Sequence, residues 1–287
     1  MLTNLGGKTV YTVPKVVAIN DMSGVGRCSL TIAIPVLSVM GVQCCPLPTA
    51  ILSRHTGFES FYFKDLTDIL PDYIANWKES NIDFEAIYSG FLGSFEQIKI
   101  TEDFINSYEK KPLCVVDTVM GDNGKIYATY TKKMCDEMKR LVSLADVVTP
   151  NVTEACYLAG TEYTGENISL EKAEIIAKKL CNMGAKAVVI TGIESGSSLV
   201  NFVYENSTAF PVYIPKSKKV FAGTGDLFAS VLTGALTKGN SLITATKISS
   251  QFIYDCLEYT INKNAPVEEG VLFEPLLYKL GGDTYGE

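Results

Sequence analysis

Residues 221–230 read Phe221-Ala222-Gly223-Thr224-Gly225-Asp226-Leu227-Phe228-Ala229-Ser230, which puts a glycine turn, a helix N-terminus and a carboxylate into one short segment. Two glycines let backbone amides come close to an anion. The helix that starts near Gly225 aims its unsatisfied N–H groups and the positive end of its dipole at that anion. Asp226 then stands where a proton can be removed. This is the layout of a phosphoryl-transfer site: amides stabilise charge on the moving phosphate while Asp226 orients or deprotonates an attacking hydroxyl. The same residues also suit a plain helix start with an acidic first-turn residue, so the surroundings of the segment decide between the two.

Outward from this run, the pattern is one of βα units. Short apolar runs rich in β-branched residues predict strands at Val16–Ile19, Ala86–Ser89, Leu113–Asp117, Asp146–Thr149 and Ala187–Thr191. Between them, Ser29–Met40, Phe95–Lys110, Thr131–Leu144 and Leu170–Met183 predict helices, and Asp226–Leu236 and Ser241–Thr260 predict two more that close the fold. Leu199–Tyr204 and Ala209–Ile214, joined by the polar turn Glu205–Ser207, predict an antiparallel edge. The expected fold is therefore α/β, a mainly parallel sheet with helices on both faces. Asn20-Asp21, Asp117, Thr149-Pro150-Asn151 and Thr191-Gly192 all fall at carboxyl ends of the expected strands, the edge where open α/β sheets bind ligands.

The 287 residues carry 47% hydrophobic residues and no linker or repeat, which predicts one domain over 1–287. No 18-residue charge-free apolar stretch occurs, and Met1–Lys15 lacks the apolar run of a secretory signal; the expectation is a soluble, cytoplasmic protein without a membrane partner. The eight cysteines contain no CxxC pair and predict reduced, structural thiols. With one histidine, His55, a multi-histidine zinc site is excluded and a Ser-His-Asp triad would have to recruit that residue. A net charge of −7 argues against a nucleic-acid partner.

There is no GxxxxGK[ST] segment and there are no protein-kinase HRD or DFG elements, so the phosphate cradle is of another kind. Gly24-Val25-Gly26-Arg27-Cys28-Ser29 begins like a dinucleotide fingerprint but has Ser29 at its third glycine. A Rossmann-type oxidoreductase would also need an acidic ribose partner about 20 residues on, which Val42 and Gln43 do not provide.

Together with the GTGD run, Asp117-Thr118-Val119-Met120-Gly121-Asp122 and Thr149-Pro150-Asn151-Val152-Thr153-Glu154-Ala155 resemble the ribokinase-like small-molecule kinases, most closely the pyridoxal kinase branch. Pro48-Thr49-Ala50, Ser53-Arg54-His55-Thr56 and Ser89-Gly90-Phe91-Leu92-Gly93-Ser94 look like the same branch, and the similarity spans roughly residues 16–280. The resemblance implies MgATP-dependent phosphorylation of the 5'-hydroxymethyl group of pyridoxal, pyridoxine or pyridoxamine, by a homodimer and with a monovalent cation such as K+ as a further candidate. It implies Asp226 as general base and the amides of Gly223, Thr224 and Gly225 as anion hole. Asp117 and Glu154 would lie around Mg2+ and the ATP phosphates; Asp117 would otherwise cap a turn, and Glu154 would be a first-turn acid behind an Asn151 N-cap. Thr149, Asn151 and Thr191 would belong to the nucleotide side. Thr49, His55, Phe91 and Asp21 would lie near the vitamin; Asp21 stands where many pyridoxal kinases carry a serine that hydrogen-bonds the ring, and an aspartate there would accept from the ring hydroxyl or pair with a protonated ring nitrogen. Hydroxymethylpyrimidine kinase of thiamine synthesis is the rival; its catalytic turn usually reads GTGC, so the aspartate at 226 favours the pyridoxal branch.

Overall fold

The computed structural model describes residues 2–5, 8–127 and 130–281. In chain order its main elements are β1 (Leu2–Leu5), β2 (Lys8–Tyr11), β3 (Lys15–Val25), α1 (Ser29–Val39), β4 (Gln43–Arg54), β5 (Phe63–Asp65), α2 (Leu70–Glu79), β6 (Ala86–Ser89), α3 (Phe95–Asn106) and β7 (Leu113–Val116). There follow β8 (Gly121–Asp122), β9 (Lys125–Ile126), α4 (Lys132–Leu144), β10 (Val147–Val148), α5 (Val152–Leu158) and α6 (Leu170–Asn182). The chain ends with β11 (Ala187–Ser195), β12 (Ser198–Glu205), β13 (Thr208–Pro215), α7 (Thr224–Thr237) and α8 (Leu242–Asn262), then two short 3-10 turns.

Nine strands form one sheet in the order β13-β12-β11-β10-β7-β6-β3-β4-β5. The inner strands from β11 to β4 are parallel, while β12 and β13 at one edge and β5 at the other are antiparallel. Side chains alternate between two buried faces, which is why the strands read as continuous apolar runs. Val17, Ile19, Ile87, Val116, Val148 and Val188 pack in the core beside residues of α2 to α6. Val115, Val147, Ala187 and Val189 pack with α1, α7 and α8, and Val16, Ala18 and Tyr88 lie with α1 on the same side. Each such fully buried Val or Ile contributes about 1.5–3 kcal/mol.

β3 is the pivot. It pairs with β4 on one side and β6 on the other, so the winding of the chain reverses there, the position at which open α/β sheets bind ligands.

The expected parallel core, its helices and the β12–β13 edge are present, with small shifts: the helix expected over Phe95–Lys110 stops at Asn106, and α7 begins at Thr224. Three features differ from expectation. β3 continues to Val25, so Gly24 lies within a strand paired to β4 and not in a phosphate-binding loop, which removes the dinucleotide-fingerprint reading. β4 is a twelve-residue strand hidden by Pro46 and Pro48; β5 pairs only with residues 50–52, so the missing proline N–H groups face no strand on that side. β5 adds a second antiparallel edge, and α2 follows it. All eight cysteines are free. Among the described residues no helix is long and apolar enough to cross a membrane.

Candidate active site

A cleft of about 380 Å³ opens at the carboxyl ends of β7 and β10 and at the irregularity within β11 between Ile190 and Ile193, and is closed by the start of α7; the strand end expected at Thr191 is thus a bulge within a longer strand. It is lined by Asp117, Thr149, Asn151, Glu154, Thr191 and the run Gly223-Thr224-Gly225-Asp226, among others. All nine residues expected for catalysis and for the nucleotide side are thus brought to one cavity from four separate places in the chain.

The cradle is built by the entry to α7. Gly223 is the N-cap at φ +84°, and a Cβ there would collide with the Arg27 carbonyl, so both backbone conformation and space demand glycine. Gly225 is different. Its φ is not left-handed and an added Cβ would meet nothing within 4 Å, so nothing within the protein requires its bareness. The need lies in the space outside, where the first-turn amides of α7 face the cleft without intrahelical acceptors.

Asp226 lies in the first turn of α7, partly exposed to the cleft. Its Oδ1 accepts from Asn20 Nδ2 at 3.2 Å. Burial, assisted by the charge of Asp21, pushes its carboxyl up to about 6, while the Ser29 amide and Asn20 favour the anion. A carboxylate poised there is ionised at neutral pH and basic enough to accept a proton.

Asp117 follows β7 and accepts from Thr149 Oγ1 at 3.0 Å. Burial, then the neighbouring charges of Glu154 and Asp226, raise its carboxyl well above the usual range. Glu154 is also buried and its carboxyl is raised by that burial, but hydrogen bonds oppose the shift. Its Oε2 accepts from Thr118 Oγ1 (3.0 Å) and the Asn151 amide (3.0 Å), its Oε1 from the amides of Met120 (2.9 Å) and Gly121 (3.4 Å). Asn151 returns the favour: its Oδ1 accepts from the Glu154 amide at 2.9 Å, completing a capping box, and its Nδ2 donates to the Gly121 carbonyl at 2.8 Å. Glu154 thereby ties the 118–121 turn to α5. Thr191 continues the same edge, its amide donating to the Pro150 carbonyl at 2.9 Å. Among the described residues no group of three or more His, Cys, Asp or Glu side chains forms a ready metal cage. The donor set nevertheless fits a hard cation held largely through water, since Asp117 and Glu154 are two oxygen-bearing side chains whose charges are mutually unfavourable without a counterion.

The four acceptor-side residues do not line this cleft. They group around the ends of β3, β4 and β6. Thr49 is buried, donating from Oγ1 to the Phe91 carbonyl at 3.0 Å, and its own carbonyl accepts from Gln97 Nε2 at 2.9 Å. Phe91 is half-buried and meets Tyr130 edge-on at 6.2 Å. His55 is buried; its Nδ1 accepts from the Gly57 amide at 3.0 Å, which leaves Nε2–H to donate to the Glu268 carbonyl at 2.8 Å. Asp21 is buried, with both carboxylate oxygens accepting from serine hydroxyls.

Asn20 joins the two halves; the sequence placed it beside Asp21 on the ligand-binding edge but gave it no role. Fully buried in the middle of β3, one residue past its last pairing with β6, it donates to Asp226 while its Oδ1 accepts from the amides of Asp21 (3.0 Å) and Phe91 (2.9 Å). Gly90 makes room for it, as a Cβ there would strike its side-chain amide. The available signal was an amide residue at the carboxyl end of an apolar strand. Tyr127, Asp122 and Phe228 also line the cleft and were not anticipated.

The sequence signature of the phosphomethylpyrimidine kinase family matches residues 34–269. Among solved structures, the chain is similar to a protein of Bacteroides thetaiotaomicron VPI-5482 assigned by name as a phosphomethylpyrimidine kinase: TM-score 0.92, 39% identity, 96% of each chain covered. An orthorhombic form described in the same words, crystallised with pyridoxal, gives a TM-score of 0.89 at 40% identity, over 94% of this chain and 96% of that one. Pyridoxal kinase from Lactobacillus plantarum gives 0.87 at 28% identity, over 94% and 97%. The chain is 24% identical, over 88% of its length, to the chloroplastic thiamine biosynthetic bifunctional enzyme of Arabidopsis thaliana, and spans only 48% of that larger protein.

Proposed function

The chain belongs to the phosphomethylpyrimidine kinase family, and from that premise we propose that it transfers the γ-phosphoryl group of ATP to the 5'-hydroxymethyl group of pyridoxal, pyridoxine or pyridoxamine. One observation carries the reading. Asp226 stands between two preparations: the α7 amides and the cleft on one side, and Asn20, which also holds the Phe91 amide, on the other. The pyridoxal-containing form of the Bacteroides protein supports the acceptor class.

In this reading the phosphates of ATP lie in the cleft against the amides of Gly223, Thr224 and Gly225, and the hydroxymethyl group approaches Asp226 from the side of Asn20 and Phe91. The alcohol oxygen forms its bond to the γ-phosphorus as the bridging bond to the β-phosphate oxygen breaks, and ADP leaves. A primary alcohol resists ionisation, so its proton passes late to Asp226. Charge on the transferred group is met by amides already oriented by α7, so no reorganisation is needed at the moment of transfer. Asp117, with Glu154 through water, would hold Mg2+, whose chemistry is to neutralise phosphate charge. Thr149 orients Asp117, and Asn151 and Glu154 fix the 118–121 turn beside it. A homodimer and a cytoplasmic location belong to the same proposal.

The test is an acceptor panel with MgATP: pyridoxal, pyridoxine, pyridoxamine and hydroxymethylpyrimidine. Phosphorylated B6 vitamers are expected. Turnover confined to hydroxymethylpyrimidine would overturn the acceptor assignment, and absence of any phosphorylated product would overturn the kinase.

A further inference from the structure

Ser29 opens α1 with φ +52°, in the left-handed region that costs a residue bearing a Cβ about 1–2 kcal/mol. Its neighbours oppose that cost. The Ser29 hydroxyl donates to Asp21 Oδ1 at 2.5 Å, and Ser23 Oγ donates to Asp21 Oδ2 at 2.9 Å. Asp21 itself is turned off the β3–β4 ladder by the register shift between Asn20 and Met22, and its amide donates to Asn20 Oδ1. A buried carboxylate is tolerated when such donors satisfy it. The turn lies against the start of α7, where a Cβ on Gly223 would strike the Arg27 carbonyl, and from there the Ser29 amide favours the Asp226 anion, which also accepts from the Asn20 side chain.

We propose that Asp21 is a positioning residue whose carboxylate clamps Ser29 in the left-handed conformation, so that the Ser29 amide and the Asn20 side chain together hold the Asp226 carboxylate in its orientation toward the cleft. Asp21 acts through Ser29 and Asn20 and makes no contact with the acceptor ring. A carboxylate suits the task because it offers an acceptor oxygen to each of two serine hydroxyls, whereas an asparagine offers one. The inference rests on the kinase reading for its effect on turnover, but the clamp itself is a property of the backbone.

The experiment compares D21N, S29A, S29G and the double variant D21N/S29G in the full chain with MgATP and pyridoxal. Small displacements of a catalytic group cost up to about 100-fold, so D21N and S29A should each lower kcat by roughly 10- to 100-fold, with KM for pyridoxal nearly unchanged. Glycine adopts positive φ without a tether, so S29G should lose less than S29A, and adding S29G to D21N should recover about tenfold in kcat. A D21N variant that keeps kcat and raises KM for the acceptor would overturn the proposal in favour of a ring contact. So would a double variant no faster than D21N, or equal losses in S29A and S29G if D21N does not fold. Amide hydrogen exchange at Ser29 reads the clamp without turnover. Protection in the wild type that is lost in D21N supports it even if the acceptor panel refutes the kinase, and equal exchange in both overturns it.

Discussion

Glu154 and Asp226 are acids of the same cleft, and both carboxyls are raised by burial, yet their surroundings differ. Four donors from two separate stretches of chain occupy the oxygens of Glu154. Asp226 is met by the Asn20 side chain and the Ser29 amide, both from the β3–α1 side, which leaves acceptor capacity toward the cavity. The difference teaches what burial alone does not. A carboxylate saturated by local amides works as a strut, here binding the 118–121 turn to α5, while one with lone pairs to spare can take a proton. On the proposed reading, the metal-region role of Glu154 would be exerted through water and through the turn it braces, whereas Asp226 would meet the reacting hydroxyl directly.

The contrast can be broken most severely at Asp226. Asp226→Asn keeps the shape and removes the base, so turnover should fall by roughly 100- to 10,000-fold while ADP affinity, measured by calorimetry, changes much less. A variant with near-normal turnover would make Asp226 another strut. The converse holds for Glu154→Gln, in which one acceptor oxygen becomes an amide that meets N–H groups. Leaving those buried donors unpaired costs about 1–3 kcal/mol, which thermal unfolding should register as a lowered Tm, with kcat/KM for ATP falling alongside. Loss of activity at unchanged Tm would contradict the strut. Gly225→Ala sharpens the comparison from the ligand side: no protein atom lies within 4 Å of the added methyl, so Tm should hold while kcat/KM for MgATP drops about tenfold as the methyl intrudes on the space facing the first-turn amides.

Much of this arrangement was legible in the sequence, and the reasons are local. The GTGD run encodes its turn and helix start within four residues, and β6, β7 and β11 declare themselves by apolar β-branched runs bounded by turn residues. Asn151 as N-cap with Glu154 three residues on was readable for the same reason. What escaped depends on distance in sequence. Asn20 earns its place through Phe91 and Asp226, 71 and 206 residues away, so nothing beside it in the chain marks its role. The prolines of β4 disguised a strand whose tolerance for them comes from an incomplete neighbour. The Ser29 partner of Asp21 was hidden for a similar reason, since the two meet only where β3 gives way to α1.

The account stands or falls on whether Asp226 takes the proton, and the pH dependence of the wild-type to Asp226→Asn rate ratio tests this most directly, because titration of the substrate cancels. Asp226 must be ionised to act as a base, and its carboxyl sits at about 6. The ratio for pyridoxal phosphorylation should therefore be level above that pH and fall about tenfold per unit below it. A ratio that stays flat from pH 5 to about pH 8 would show that the carboxylate does not carry the proton.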